Sequence, residues 1–365
     1  MDIPTKQFLF RMYGNMCKSR QTNDKNHETS NFKYSIIIPT YNSKHTIVKL
    51  LDSIFATKGH EHFEIIVVDD ASTDQTYKVV KTYPVRIIVS SKNMGSAHAR
   101  NTGAFAAQSP YLIFFDADVV IKPDTLERLT KRIEEKNENY VFMGIYDENP
   151  VKINFISQYK ALLDSYHWRN IKTKAVTSFE PRCAIMKKSL FEKSGGFDDT
   201  IVGADVEDYE LGYRLLDINA KLIVDPEIKV YHHFPMSVKH LISTLFNRTK
   251  SWIQLFSSRK KFDNVGSTIE SALACGISGL SSFLLPAIGF DTSATLAFLL
   301  MFSLFWVIFS DFFLHAFYEK GICFGVKVIF FHYFICIVIF WGAVKGISRR
   351  LCQCMINMWQ PIRQF

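Results

Sequence analysis

An apolar stretch at residues 266–344 constrains the fold of this chain more than any other feature of its sequence. Its 79 positions hold only six charged side chains, whereas about a quarter of the residues in an ordinary soluble domain are charged. We therefore predict a transmembrane region of two to three helices, with buried helices in a large core as the alternative. Three uncharged runs approach the ~20 residues that a helix needs to cross a bilayer: residues 271–290, 292–310 and 328–344.

The rest of the chain excludes several classes of protein. A length of 365 residues corresponds to two to three domains at about 150 residues each. The net charge is +8, and residues 1–265 carry +6 while residues 345–365 carry +4. Seven scattered cysteines do not resemble the framework of a disulfide-stapled secreted module, and 48% hydrophobic residues exclude a disordered chain. The organisation that fits is a basic domain followed by a membrane anchor.

We predict that the large polar domain lies on the cytoplasmic side of the membrane. No apolar segment of a signal peptide precedes residue 34, so residues 1–33 are interpreted as a polar N-terminal extension. Lys327 and Lys345 flank the last apolar run, in agreement with a positive-inside orientation. The side of the basic tail, 345–365, depends on the number of crossings, because two return it to the side of the domain and three do not.

Residues 236–265, between the polar domain and the apolar stretch, have the pattern of a basic amphipathic helix. Apolar side chains, among them Trp252 and Phe256, recur at helical spacing with lysines and arginines around them. This pattern predicts a helix at a membrane interface, where lipid headgroups attract the basic residues. An ordinary helix packed on the domain core is the alternative.

Short β-branched runs alternate with helical patterns from residue 34 to about residue 235. The alternation predicts an α/β fold with a Rossmann-like, mostly parallel sheet, in which ligands bind beyond the carboxyl ends of the strands. The glycine motifs of dinucleotide-binding folds and of P-loops do not occur. Predicted strands are 34–40, 64–70, 85–90, 111–118, 140–146, 182–187 and 221–224, and predicted helices are 43–56, 73–83, 96–108 and 207–218.

The run "FFDAD" places two carboxylates at the end of a buried strand. Asp116 and Asp118 are two positions apart, which puts them on the same side of an extended chain. Paired carboxylates repel each other unless a cation compensates. Their oxygens suit Mg²⁺ or Mn²⁺, which would take further ligands from a diphosphate. The alternative is a surface turn, where such pairs are common.

The run "VVDDAS" contains the end of the second strand, which lies next to the end of the first. Tyr41 and Asp70 together suit a nucleobase, because a ring stacks on it and a carboxylate accepts its N–H. Ser72 and Asp74 are interpreted instead as caps of the following helix.

Three further motifs contribute candidate site residues. Arg100, in "SKNMGSAHARNTG", suits bidentate binding of phosphates, although a salt bridge to a strand-end carboxylate is an equal alternative. In "GADVEDYELGYRL", the three carboxylates of Asp205, Glu207 and Asp208 exceed what a helix cap needs, which leaves one of them for general-base chemistry. His232 and His233 offer a third metal ligand, with a merely structural histidine as the alternative.

In this order, the motifs resemble the inverting family 2 glycosyltransferases of the GT-A fold. The resemblance covers about 200 residues, from Tyr34 to His233, within a predicted domain at 34–235. It depends on the ordered set "SIIIPTYN", "EIIVVDDASTDQT", "NMGSAHARNTG", "FFDAD", "SGGFD" and "EDYELGYRL".

The resemblance implies a site for a nucleotide sugar, a UDP- or GDP-sugar. Asp208 matches the general base that deprotonates an acceptor hydroxyl. Mg²⁺ or Mn²⁺ would be bound by Asp116, Asp118 and His233. The predicted donor-binding residues are Pro39, Thr40, Tyr41, Asp70, Arg100, Asp116 and Glu207.

Departures from the family pattern narrow the predicted reaction. The Q-x-x-R-W motif of processive synthases has no match, so transfer of a single sugar is expected, to a lipid-linked or membrane-associated glycan. A polyprenyl-phosphate sugar transferase is the alternative, although Val120 replaces the glutamine of its usual motif. A non-catalytic scaffold would not need the intact carboxylates. Nucleic acid is not an expected partner, since the excess positive charge lies largely beside apolar helices.

Overall fold

This computed structural model describes residues 32–136, 139–169, 175–201, 206–234, 236–260, 262, 265 and 267–359. The predicted N-terminal extension, apart from its last two residues, lies outside the described residues, and so do positions 360–365 of the tail. Contacts divide the chain into two units. The α/β unit comprises the described residues up to Val151 and from 175 to His233, and the helical unit comprises 152–169 and the described residues from Phe234 onward.

Eight strands form one sheet in the α/β unit. They are β1 (Tyr34–Thr40), β2 (Phe63–Asp69), β3 (Arg86–Val89), β4 (Tyr111–Phe115), β5 (Val119–Ile121), β6 (Tyr140–Tyr146), β7 (Cys183–Lys187) and β8 (Lys221–His232). Their order across the sheet is β3-β2-β1-β4-β7-β6-β8-β5. The first four strands are parallel, whereas β7 is antiparallel to β4 and β6, and β5 is antiparallel to β8. The sheet is therefore mixed, with a parallel first half.

Helices in this part of the chain follow the strands that they connect. In α1, the buried residues Ile47, Leu50, Leu51 and Ile54 recur at the spacing of one helical face. The helices are α1 (Ile47–Phe55), α2 (Thr76–Val80), α3 (Ser96–Ala106), α4 (Thr125–Glu134), α5 (Phe155–Arg169), α6 (Lys188–Ser194) and α7 (Glu207–Asp217).

The carboxyl ends of the parallel strands meet at one edge of the sheet. Thr40 at the end of β1 pairs with Asp69 at the end of β2, and Asp69 pairs with Val89 at the end of β3. The alternating strands and helices that the sequence predicts are thus present, and they bring the predicted site segments to this edge.

Two strands, β4 and β8, differ from the prediction in ways that change the site. β4 ends at Phe115, so Asp116 and Asp118 lie in the turn before β5 and not on an extended strand. The rule that residues two apart share a face of a strand therefore does not apply to them. β8 continues to His232, eight residues beyond the predicted end, because its last part pairs with β5.

The helical unit contains α5 and five helices that follow the sheet. Its buried core joins Ile156, Tyr159 and Leu162 of α5 to aromatic and aliphatic side chains of the later helices. The sequence analysis included α5 in the 34–235 domain, since its neighbours in the chain are strands of the sheet. The later helices are α8 (Val238–Arg259), α9 (Ile269–Ser281), α10 (Thr292–Ile308), α11 (Ser310–Lys320) and α12 (Ile322–Trp359).

Two segments of the helical unit are long and apolar enough to cross a membrane. They are Ile269–Ala287, which joins α9 to a short 3₁₀ helix, and Ile322–Cys352 of α12. Helices α10 and α11 are bent by 68° at their junction. They form a third candidate span only if the two helices together cross the membrane once. By length and composition, these counts match the predicted two to three helices. The predicted amphipathic segment is present as α8.

Candidate functional site

Arg100 of α3 connects two of the predicted acidic segments. Its side chain is 7% exposed, and its Nη2 donates to Oδ1 of Asp116 at 2.7 Å. Its Nη1 donates to Oε1 of Glu207 at 3.2 Å. One guanidinium thus holds the residue after β4 next to the first residue of α7, which are far apart in the chain. The salt-bridge alternative for Arg100 is the arrangement that the structure contains.

The electrostatics around Arg100 favour a fixed positive charge at the edge of the sheet. Burial by itself lowers the pKa of the guanidinium, but the charges of Asp116, Glu207 and Asp208 outweigh this and raise it. Ser96 Oγ donates a further hydrogen bond of 2.9 Å to Glu207. A buried ion pair is tolerated when hydrogen bonds satisfy its members in this way. Arg100 is therefore permanently charged.

Asp208 lies in the first turn of α7, next to Glu207. Its side chain is half-buried, and Oδ1 accepts the N–H of Tyr209 at 2.9 Å. One turn further along, a Cβ on Gly212 would lie 2.7 Å from the backbone of Thr177 and Phe179, so the helix packs directly on that segment. This close contact fixes the position from which Asp208 projects. Asp205, a third acid of the motif, lies outside the described residues.

The side chain of Asp118 contacts the imidazole of His232. The distance from Asp118 Oδ2 to His232 Nε2 is 3.1 Å. The imidazole of His232 is also stacked on Tyr146, with the ring centroids 4.2 Å apart. His233 donates its backbone N–H to the carbonyl oxygen of Asp118 at 2.9 Å. Burial raises the pKa of the Asp118 carboxyl, but His232 and His233 more than offset this and lower it.

The predicted metal ligands are only partly brought together. Within the part of the chain that the structure describes, no group of three His, Cys, Asp or Glu side chains is arranged to hold a metal ion. Asp116 is bonded to Arg100 whereas Asp118 contacts His232, so the two carboxylates have different partners. The pair Asp118 and His232 nevertheless offers one oxygen and one nitrogen donor, and the Asp118 side chain is 44% exposed. This pair fits a divalent cation that takes its other ligands from a substrate.

The predicted nucleobase residues lie at the ends of β1 and β2. Pro39 is buried within β1, where it pairs with Val68. Thr40 is 3% exposed, and its Oγ1 has no hydrogen-bond partner among the described residues. Tyr41 follows the strand with 46% of its surface exposed, so its ring is available to a ligand.

Asp70 is buried and fixes the turn that begins α3. Its carboxylate accepts the N–H of Met94 at 3.0 Å and of Gly95 at 2.7 Å. Gly95 has φ of 94°, which strongly favours glycine. Asp70 thus supports the loop beside the predicted base site. The predicted cap of α2 by Ser72 or Asp74 is wrong: Gln75 is the N-terminal cap and makes no side-chain bond to the helix, whereas Asp74 accepts the N–H of Thr76 at 2.8 Å in the turn just before it.

Two polar residues near the site were not singled out by the sequence analysis. Ser96 bonds to Glu207, as described above, although its position after Gly95 marked it only as the start of a helix. Asn101 donates to the carbonyl of Phe197 at 2.9 Å and accepts its N–H at 2.8 Å, and so ties α3 to the "SGGFD" segment. The sequence signal that could have identified Asn101 was its position directly after Arg100 in the same motif.

Comparisons with known proteins show what this chain is similar to. The model of the family "Glycosyl transferase family 2" matches residues 35–195. An uncharacterized glycosyltransferase of Haemophilus influenzae is 29% identical over 194 residues, 50% of this chain and 61% of that protein. The succinoglycan biosynthesis protein ExoO of Rhizobium meliloti is 36% identical over 103 residues, 27% of this chain and 29% of that protein.

The whole chain also resembles a solved structure. The mannosyltransferase PcManGT from Pyrobaculum calidifontis, in complex with GDP-Man and Mn²⁺, aligns with a TM-score of 0.54, 18% identity and 94% coverage of each chain. This likeness concerns the fold, and the matched segment covers 61% of the Haemophilus protein and less of the Rhizobium one. The resemblance in the motifs and the predicted fold class are confirmed: residues 35–195 match the model of glycosyl transferase family 2, and they lie in an α/β unit of GT-A type that is followed by helices.

Proposed function

We propose that the chain is a membrane-anchored inverting glycosyltransferase that moves one sugar from a nucleotide sugar to a hydroxyl group of a glycan acceptor. The observation that carries the proposal is the position of Arg100 between Asp116 and Glu207, with Asp208 in the same turn as Glu207. This contact brings the strand-end segment, which suits the donor diphosphate, next to the helix that carries a carboxylate for the acceptor.

The donor would bind along the carboxyl ends of β1, β2 and β4. The exposed ring of Tyr41 suits stacking on the base, and the buried Thr40 beside it ends β1. The donor is a UDP- or GDP-sugar in this proposal. Support comes from the family match and from the structural neighbour, which was solved with GDP-Man and Mn²⁺.

Asp118 and His232 would hold Mg²⁺ or Mn²⁺ in the proposed enzyme, with His233 orienting Asp118 through its backbone. A divalent cation there would offset the negative charge of the departing nucleoside diphosphate. Arg100 contributes a permanent positive charge on the other side of the same turn, through Asp116. Both residues of the Asp-x-Asp motif therefore act, but through different partners.

Asp208 would act as the general base. It takes the proton of the acceptor hydroxyl while the resulting oxygen attacks the anomeric carbon opposite the leaving group, so that the configuration is inverted. The nearby charge of Arg100 favours the ionised carboxylate that this step requires. The helix that presents Asp208 is fixed by Gly212, which limits the positions available to the base.

The acceptor in this proposal is a lipid-linked or membrane-associated glycan, used at the cytoplasmic face. Two segments of the helical unit have the length and composition of membrane spans, which would keep the site close to such an acceptor. The relatives named above include a succinoglycan biosynthesis protein, in agreement with a role in polysaccharide synthesis.

Asp208→Asn tests the assignment of the base. We expect at least a 100-fold loss of sugar transfer from a panel of radiolabelled UDP- and GDP-sugars, since a positioned base contributes roughly 10²–10⁴-fold. Binding of the nucleoside diphosphate, followed by thermal shift with Mn²⁺, should be unchanged. Asp217→Asn makes the same substitution near the other end of α7 and should retain activity.

Wild-type activity in Asp208→Asn would contradict the proposed role of this residue. Failure of the wild-type chain to bind any nucleoside diphosphate would contradict the donor. Label that appears in an acid-labile lipid phosphate, rather than in a glycan, would favour the polyprenyl-phosphate reaction.

A further inference from the structure

Helices α8 and α12 approach each other closely at two glycines. A Cβ on Gly342 would lie 2.8 Å from the carbonyl oxygen of Phe246, and one on Gly346 would lie 2.8 Å from that of Lys250. The contact of Gly346 is four residues further along both helices than the contact of Gly342. The two helices are therefore parallel. Their C-terminal ends therefore lie at the same end of the pair.

Basic side chains gather at this shared end. In α12, Lys345, Arg349 and Arg350 are exposed and lie beside or one turn beyond the Gly346 contact. In α8, Lys250 lies at the contact with Gly346. Lys260, which is exposed, directly follows the last turn of the helix. Neither helix contains an aspartate or a glutamate. The pair thus has a surface of one sign of charge, which we call the basic end.

The basic end follows directly on the most apolar part of α12. Its uncharged run, 328–344, is about 26 Å long at 1.5 Å per residue, close to the ~30 Å of a bilayer core. A span that uses this run would place Lys345 and the residues after it at the level of the lipid headgroups. The helix continues through Trp359, so the basic end is a helical extension of the span.

An aromatic cluster accompanies these charges. Trp252 is stacked on Phe256 with centroids 5.1 Å apart, and Phe262 lies 4.7 Å from Phe256. The three rings are neither fully buried nor fully exposed. Aromatic residues of this kind are enriched at the boundary between hydrocarbon and water. Trp252 and Phe256 lie between Lys250 and Lys260 in the chain and Phe262 lies two residues after Lys260, which places the cluster at the level of these two lysines.

We infer that the basic end of α8 and α12 is a binding surface for the headgroups of anionic lipids. Basic clusters that continue a transmembrane helix or lie on an amphipathic one bind acidic headgroups electrostatically. The structure adds that the two clusters, which are about 90 residues apart in the chain, form one surface. This inference depends on the membrane anchoring in the proposed function, but not on the sugar transfer.

Thermal unfolding of the full-length, detergent-solubilised chain tests the inference. Phosphatidylglycerol should raise the midpoint more than phosphatidylcholine does, and added salt should diminish this difference because the charges are screened. Neutralising the surface with Lys260→Gln, Lys345→Gln, Arg349→Gln and Arg350→Gln together should abolish the difference. The matched control neutralises four exposed lysines of the α/β unit, Lys58, Lys78, Lys81 and Lys131, and should retain it.

Equal effects of the two lipids on the wild-type chain would overturn the inference, and so would a salt-insensitive difference. Inorganic phosphate that produces the same rise would also overturn it, since the surface would then not be one for lipids. The salt series uses the wild-type chain, so it remains decisive if the fourfold variant does not fold. Release of the chain from membranes by alkaline carbonate would contradict the anchoring, whereas an integral chain without lipid preference would contradict this inference alone.

Discussion

At the scale of single residues, Arg100 has the greatest influence on the candidate site. Its guanidinium satisfies carboxylates from two distant segments while it is almost fully buried. A buried charge is stable only with its partners, and each partner here is itself largely shielded from water. The same residue therefore determines both the folding of this region and the distance between the donor and acceptor segments.

Arg100→Met is expected to lower the stability of the protein by about 3–5 kcal/mol, because Asp116 and Glu207 would lose their buried partner. Arg100→Lys should fall between this variant and the wild type, since one ammonium cannot reproduce the planar fork. The measurement is the thermal unfolding midpoint of the detergent-solubilised chain. Arg128→Met is the control, because Arg128 and Asp124 form an exposed ion pair that water screens and that therefore contributes little to stability. Similar midpoints for Arg100→Met and Arg128→Met would contradict this account.

The sequence predicted the location of the candidate site residues better than it predicted their contacts. Asp116 and Asp118 were recognised from their position after a buried strand, and the structure places both near the expected edge. Their partners depend on the turn at 116–118 and on the length of β8, which a local pattern does not determine. For this reason the sequence analysis chose His233 as a ligand, whereas it is the side chain of His232 that contacts Asp118.

At the scale of elements, the close packing of α8 on α12 depends on the absence of side chains. The two glycines are four residues apart, so they lie on one face of α12 and allow the backbones to approach. The sequence showed the amphipathic pattern of α8 but not its partner, since an apolar stripe packs equally well on lipid or on protein. The strands of the sheet were easier to predict because their apolar runs are short and bounded by polar turns.

Gly346→Ala should destabilise the helical unit, although alanine is by about 1 kcal/mol the better helix former. The new Cβ would lie 2.8 Å from the carbonyl oxygen of Lys250 and 2.9 Å from Cβ of Ile253, so the helices would have to separate. Gly276→Ala in α9 is the matched control, since nothing lies within 4 Å of its added Cβ. Thermal unfolding of both variants in the same detergent measures the difference. A Gly346→Ala midpoint at or above that of Gly276→Ala would show that the contact is not tight.

At the scale of the whole molecule, neither of the two units is formed by one continuous segment of the chain. The chain leaves the α/β unit after Val151, contributes α5 to the helical unit, returns for β7, α6, α7 and β8, and leaves again after His233. No local pattern in the sequence indicates this excursion, because α5 is an ordinary short helix between two strands. Only the contacts of α5 show that it belongs to the helical unit.

A chain that ends at His233 is therefore expected to aggregate, although it contains the entire family 2 domain. It would expose the apolar face of α5, which in the full chain is buried against α10, α11 and α12. Replacing Ile156, Tyr159 and Leu162 of the shortened chain by serine should increase its monomeric fraction in size-exclusion chromatography. A monodisperse shortened chain without these substitutions would contradict the expectation.

The excursion of α5 means that the helical unit cannot be removed from this chain by a single cut. Three separate passages of the backbone join the sheet to the helices: one after β6, one before β7 and one after β8. Evolution or engineering that exchanges the anchor for that of another protein must exchange α5 with it, and a graft made at a single junction would leave one helix without its partners.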